Sequence, residues 1–407
     1  MTSNPTSIRR AALCALAFSV SLAGAASLSA AHTWHDVQFG GFFSQGFLET
    51  DHNNYPVQTK GGTFDFREYG LNASSNFGTH LRVGGQVFGQ TLGKYGDDKP
   101  FIDWAQVDYN VRPEFGVRVG RIKHPRSLYS DVLDLDVLRP FVFLPQSIYD
   151  NRLRDFQASF DGAMIYGSLN AGRSSFDYRI FYGGIPIRSG SGVADYFRTG
   201  GGLYANNQPL KLGIDSVYGA TLMLNTPVPG LKFGAFFSRM NELTATGPFF
   251  AVPTMDATTR LTRSDYITLS TEYSTGSWTF AAEYVLSESD IVIALPPAIA
   301  PEQKLDATIR YAYGSVARRI GEKFEVGTYY TETWSTPTVN VAGSSDLERK
   351  DWAFAVRYDV NEHLLFKVEV HAIRGTKDFF DTEGISNPPS RLSNSTTLFA
   401  AKTTISF

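Results

Sequence analysis

Apolar and polar positions alternate with a period of two along most of the chain. "LRVGGQVFGQ" sets Leu81, Val83, Gly85 and Val87 against Arg82, Gly84, Gln86 and Phe88. "FDYRIFYG" sets Phe176, Tyr178, Ile180 and Tyr182 against Asp177, Arg179 and Phe181. "WTFAAEYVL" divides Trp278, Phe280, Ala282, Tyr284 and Leu286 from Thr279, Ala281 and Glu283. In "LDATIRYAYG" the apolar set is Leu305, Ala307, Ile309, Tyr311 and Tyr313, and the polar set Asp306, Thr308 and Arg310. "DWAFAVRYDV" parts Trp352, Phe354, Val356 and Tyr358 from Asp351, Arg357 and Asp359. Side chains of a strand point to opposite faces in turn, so each stretch predicts a strand with one apolar and one polar wall. About sixteen such strands are expected, starting near residues 36, 64, 79, 101, 115, 156, 174, 213, 230, 264, 277, 304, 322, 348, 362 and 395.

The connections between them alternate in length. "NFGT", "RPEF", "NAGRS", "TPVPG", "STGS", "RIGEK" and "VNEH" are short. The others are long, near 49–63, 90–100, 123–155, 186–212, 240–263, 287–303, 335–347 and 375–394. Short turns at one end and long loops at the other define a membrane-spanning antiparallel barrel with both chain ends on the short-turn side. A soluble β-sandwich has no reason to sort its loops this way. The 186–212 and 240–263 stretches leave room for one short pairing each. The fold class is therefore all-β: a transmembrane antiparallel β-barrel of about sixteen strands.

The final residues, "STTLFAAKTTISF", continue the pattern to the end. Phe399, Ala401, Thr403, Ile405 and Phe407 share one face; Leu398, Ala400, Lys402, Thr404 and Ser406 share the other. In hydrocarbon each bare N–H or C=O costs several kcal/mol, so no edge can stay open. The last strand is expected to pair with the first, "DVQFGGFFSQGFLE", with Phe407 at the membrane interface.

Residues 1–31 are set apart. Arg9 and Arg10 precede an apolar run from Ala11 to Leu28 and a small-residue site ending at Ala31, which is the expected form of an export leader. Cys14, the single cysteine, leaves with it, so residues 32–407 are expected to hold neither disulfide nor thiolate chemistry. Aromatic residues make up 14% of the chain, and beyond the leader no apolar run reaches the length of a membrane helix. The chain has 37 Lys and Arg against 40 Asp and Glu, and the leader takes two of the arginines and no acid. The mild acidic excess that remains gives no sign of nucleic-acid binding.

The 123–155 connection does not alternate. It reads "KHPRSLYSDVLDLDVLRPFVFLPQSIYDNRLRD", with a short helix expected near Ser130–Leu138 and an apolar stretch Phe141–Leu144. An exposed loop would not need Val, Leu and Phe at this density, so it is expected to pack against the inner wall.

Sixteen strands, a C-terminal Phe and a long third loop after "VRVGRIK" resemble the trimeric porins of Gram-negative outer membranes, across all of residues 32–407. "GRIKHP…RPFVFLPQSIYD" resembles a porin-like subgroup rather than the enteric general porins, whose "PEFGG"-type third-loop stretch is missing. The resemblance implies a homotrimer in the outer membrane. It would contact lipid and lipopolysaccharide, be inserted by the barrel-assembly machinery, and pass small hydrophilic solutes through a neck narrowed by the 123–155 loop. Phe407 and Ile405 then correspond to the C-terminal assembly signal. Asp131, Asp134 and Asp136 are candidates for one side of the neck, and the inward-facing Arg82, Arg118, Arg179 and Arg310 for the other. Opposed charges across a narrow polar pore set ion preference. Arg139, Arg152 and Arg154 could join either side. Alternatively, the three aspartates cap a small loop helix, and the lumen arginines pair with Glu283, Asp161 or Glu325.

Signals of other chemistry are missing. There is no phosphate-binding glycine loop, HExxH or GxSxG. His32 and His35 flank the expected cleavage site and the other five histidines are scattered, so no metal, cofactor or enzymatic activity is expected. Three alternatives stay open: a substrate-selective channel with a track such as Tyr129, Phe88, Arg179 and Arg310, a plugged barrel with a receptor or adhesin role, and a soluble exported β-protein.

Overall fold

The expected strands form and close on one another. The computed structural model describes residues 33–34, 37–188, 191–201, 203–205, 208–336, 348–377 and 392–407. The leader expected at 1–31 and parts of the connections near 335–347 and 375–394 lie outside the described residues. The barrel begins with β1 (Val37–Thr50), β2 (Phe66–Phe77), β3 (Leu81–Leu92) and β4 (Phe101–Arg112). It continues through β5 (Phe115–Lys123), β6 (Ser159–Ala171), β7 (Ser174–Gly184) and β8 (Ser216–Asn225). Next come β9 (Leu231–Phe249), β10 (Val252–Thr275), β11 (Trp278–Ala294) and β12 (Gln303–Ile320). It ends with β13 (Phe324–Thr336), β14 (Glu348–Asp359), β15 (Leu364–Arg374) and β16 (Ser395–Ser406). Each pairs antiparallel with the next, and β16 returns to β1 from Leu398↔Thr50 to Ser406↔Phe42.

Phe407 takes part in the closure. Gly41 N–H donates to the Phe407 carbonyl at 3.0 Å, and Phe407 N–H donates back at 3.0 Å. A Cβ on Gly41 would come within 2.7 Å of the Phe407 ring, so glycine there lets the ring lie against β1. The barrel has no edge, which satisfies the backbone of a membrane-embedded sheet.

One expected long connection, 240–263, turns out to be largely strand. β9 runs to Phe249 and β10 starts at Val252, twelve residues before the expected start near 264. β10 has 24 residues, whereas a tilted strand crosses hydrocarbon in about 9–11, so this hairpin stands well outside the bilayer. The 186–212 stretch holds the helix Gly192–Gly201 and a short strand, Lys211–Gly213, paired with β9.

The outer face carries the exposed apolar side chains, among them Leu71 at 61%, Ile180 at 55% and Phe354 at 57% exposure. Aromatic pairs such as Trp278–Phe280 and Trp352–Phe354 stack along it. This is the wall that lipid would cover.

One face assignment is reversed. On β12, Tyr313 is buried opposite Glu283, and Tyr311 packs on the same inner side. Arg310 therefore points outward, across from Leu286 and Trp334, with its guanidinium on the Thr336 hydroxyl at 3.3 Å. The expectation that Arg310 faces the lumen is corrected. Here the inner wall is apolar because the third loop covers it, and periodicity alone cannot tell an apolar surface facing lipid from one facing a loop.

Candidate functional site

The connection between β5 and β6 folds into the barrel. All of its residues from Pro140 to Asp150 are buried. The helix expected near Ser130–Leu138 is instead two separate turns, Ser130–Val132 and Asp136–Leu138, and neither is capped by a side chain. The aspartates have other partners.

Asp134 is anchored toward β3, β4 and β5. Its carboxylate accepts from Gln86 at 2.7 Å, Lys123 at 2.6 Å and Arg154 at 3.0 Å. The two cations also reach Asp103 of β4, at 2.5 and 2.6 Å. Asp136 faces the opposite wall. It lies 3.0 Å from the Lys367 ammonium and 3.4 Å from that of Lys402, and accepts from the Thr404 hydroxyl at 2.7 Å. Burial alone would raise both carboxyls. The Lys123 and Arg154 charges override it at Asp134, as Lys367, Lys402 and Arg139 do at Asp136, and hold each well below the usual carboxylate range.

Further contacts pin the rest of the loop. Glu369 accepts from the Val142 and Phe143 amides at 2.8 and 3.1 Å, and His371 bridges Glu369 and Asp351 at 2.8 and 2.9 Å. Glu283 accepts from the Leu128 amide at 2.8 Å and from the Tyr149 hydroxyl. The Arg126 guanidinium lies 3.6 Å over the Tyr266 ring. Phe143 stacks on Phe66 of β2, and Phe141 meets Tyr329 of β13 edge-on. Burial, then the Arg126 charge, pushes His124 down to about 3. It is thus neutral near pH 7, donating from Nδ1 to the Phe156 carbonyl and accepting from Ser238 at Nε2.

The loop leaves one face free. Asp131 is exposed and forms a 2.7 Å ion pair with Arg179 of β7, linking loop to opposite wall. Arg118 of β5 pairs with Asp108 at 2.8 Å and lies 5.0 Å over the Tyr166 ring. Arg82 of β3 is exposed, its guanidinium on the Ser74 hydroxyl at 3.0 Å. These three arginines share the inner face of β3, β5 and β7. Arg139 and Arg152 pair with loop acids, Asp136 at 3.8 Å and Asp150 at 2.6 Å. Of the acids considered as partners for lumen arginines, Asp161 faces outward and pairs with Arg121, while Glu325 lies 3.7 Å from both Arg319 and Arg357. Phe88 is buried beneath Arg154, and the Tyr129 hydroxyl donates to Glu272 at 2.9 Å. Among the described residues no group of three or more His, Cys, Asp or Glu could hold a metal ion.

Three wall residues that hold the loop are absent from the expected site. Lys367, Glu369 and His371 alternate in "LLFKVEVHAI", three ionisable groups on the inward face of one strand. That run was the available signal. Asp103 and Asp108 gave none, because their partners lie on other elements.

A closed sixteen-stranded barrel with an apolar outer wall and an infolded third loop has the architecture of outer-membrane porins. Solved structures with this fold include OmpF of Salmonella typhi in complex with daunomycin, at 12% identity and a TM-score of 0.59, covering 92% of this chain and 99% of that one. The outer-membrane channel DcaP of Acinetobacter baumannii is 11% identical, with a TM-score of 0.56 over 93% of this chain and 100% of its own. The trimer form of OmpT, an outer membrane protein of Vibrio cholerae, is 13% identical, with a TM-score of 0.55 over 91% and 99%. No family model and no curated protein sequence matches the chain. At these identities the likeness is one of fold.

Proposed function

We propose that the protein is a porin of the Gram-negative outer membrane, a non-enzymatic channel through which small hydrophilic solutes and ions diffuse passively. The observation that carries this reading is the asymmetry of the lumen. The third loop is fastened by buried pairs to β2–β4 and β9–β16, whereas its free face meets a charged wall on β3, β5 and β7. The passage runs beside the loop along Arg82 and Arg118 and is edged by the Asp131–Arg179 ion pair. Asp134 and Asp136 contribute by holding the loop in place. Residues 1–31 act as the export leader, Phe407 and Ile405 as the assembly signal, and the assembly is a homotrimer in contact with lipid and lipopolysaccharide. A receptor or adhesin barrel is the second reading, favoured by the helix Gly192–Gly201, whose Asp195 binds Lys94 and Tyr95 and so ties two outer loops together at 2.6 and 2.9 Å.

The test is current through the purified protein in a planar bilayer under a salt gradient. Steps in multiples of three with a finite reversal potential support a trimeric porin. A folded barrel that passes no current sinks the proposal and favours the second reading. Asp131→Asn is expected to shift the reversal potential toward anion preference, by roughly 5–15 mV for one charge at a screened neck. Arg310→Gln, on the outer wall, is expected to leave it unchanged. A shift with Arg310→Gln equal to that with Asp131→Asn would overturn this placement of the neck.

A further inference from the structure

On β3 and β4 the lumen wall holds a niche of about 160 Å³ lined by Arg82, Gly84, Trp104, Gln106 and Asp108. We propose that it binds small organic anions in which one carboxylate is joined to an apolar ring, an inference that rests on the channel reading above and names the class of solute.

Three features carry it. The first is charge. Arg82 and Asp108 lie opposite each other in register, yet the Asp108 carboxylate turns away to accept from Arg118 Nε and Nη2 at 3.1 and 2.8 Å and from the Tyr166 hydroxyl. Among the described residues Arg82 has no carboxylate partner within ion-pair distance, so the niche keeps one uncompensated guanidinium, a group matched to carboxylates. The second is shape. A Cβ on Gly84 would sit 3.3 Å from the Trp104 ring, so the absence of a side chain lets the indole lie against the wall as an apolar surface. The third is the loop itself. With Asp134 and Asp136 committed to the walls, Leu135 and Leu138 stay open, 36% and 62% exposed. The Gln86–Asp134 bond holds the loop at Asp134 against β3, where Gln86 pairs in register with Trp104. A solute seated here meets a guanidinium and an indole. A simple inorganic ion would use only the first of these groups.

The experiment is a fluorine NMR titration of fluorobenzoate against the folded protein in detergent, with protein-free micelles as the blank. Saturable binding above the blank is expected, with no saturable binding of fluorobenzylamine. Arg82→Gln is expected to weaken fluorobenzoate about tenfold or more, the effect of losing a charge-assisted hydrogen bond. Trp104→Leu should weaken fluorobenzoate more than it weakens competing acetate. Arg173→Gln, on the short turn between β6 and β7, should change nothing. Equal binding of the amine, unchanged binding in Arg82→Gln, or partition into micelles alone would overturn the niche. Binding without conductance in the bilayer would instead leave the niche standing and remove the channel reading.

Discussion

Asp136→Ala is expected to free the loop from the β15–β16 wall and to destabilise the folded barrel by about 3–5 kcal/mol, the usual cost of breaking one side of a buried ion pair. The carboxylate neutralises two ammonium groups whose side chains are at most 1% exposed, Lys367 and Lys402. Lys402 keeps Glu68 at 2.5 Å, but Lys367 is left with backbone carbonyls alone, those of Asp136 at 2.6 Å and Phe141 at 3.0 Å. The denaturant midpoint of the detergent-folded protein should fall. Single-channel conductance should rise and become noisier as the loop moves. Adding Lys367→Met should recover part of the lost stability, because it removes the stranded charge. An unchanged midpoint and conductance in Asp136→Ala would mean that this pair does not hold the loop.

The pH dependence follows from the same groups. Asp134 and Asp136 have carboxyls lowered by folding, so their stabilising contribution is full above the usual carboxylate range and is lost only as pH falls through their lowered values. The loop is therefore expected to stay in place through pH 4, without the noisy conductance expected of Asp136→Ala, although ordinary surface carboxylates have begun to protonate there.

Truncation of Phe407 should have the second largest effect. It removes both backbone hydrogen bonds to Gly41 and the ring that lies against it, at about 1 kcal/mol for each bond and roughly 1 kcal/mol more for the contact of the exposed ring. The seam between β16 and β1 would fray at the membrane interface, where a closed barrel cannot shift its pairing to compensate. The check is the fraction of heat-modifiable, compact protein recovered after folding into detergent or lipid. Recovery equal to the full-length chain would show that the terminal residue is dispensable for closure. Phe407→Tyr, which keeps the ring and the backbone bonds, should recover nearly as well.

Much of the architecture is legible in the sequence. Alternation along "WTFAAEYVL" and "DWAFAVRYDV" assigned Trp278 and Trp352 to the outside and Glu283 and Asp351 to the inside, where they lie. The short turns fixed the strand ends on one side of the barrel to within a few residues. The loop-bearing side was less legible. Strand and loop composition are alike once strands leave the bilayer and need not alternate for lipid, so β9, β10 and β11 extend into stretches that read as connections.

The site was legible in part. The density of Val, Leu and Phe in 123–155 was enough to send that loop inward, but not to say which of its acids would stay in water. Asp131, Asp134 and Asp136 are chemically identical in the sequence. Their fates differ because Lys367 and Lys402, more than two hundred residues away, meet Asp136, while Lys123, Arg154 and Gln86 close on Asp134. Arg310 was misplaced for a related reason: Tyr311 and Tyr313 serve as the floor beneath Tyr149, and nothing local distinguishes such a floor from a lipid-facing wall. The sequence by itself determined the sheet, its closure through Phe407 and the inward course of the third loop, because periodicity and unpaired backbone groups act within single strands or at chain ends. Only the tertiary structure decided which charges are spent as anchors and which stay open to the lumen, because a buried carboxylate needs cations that the chain supplies from far apart in sequence.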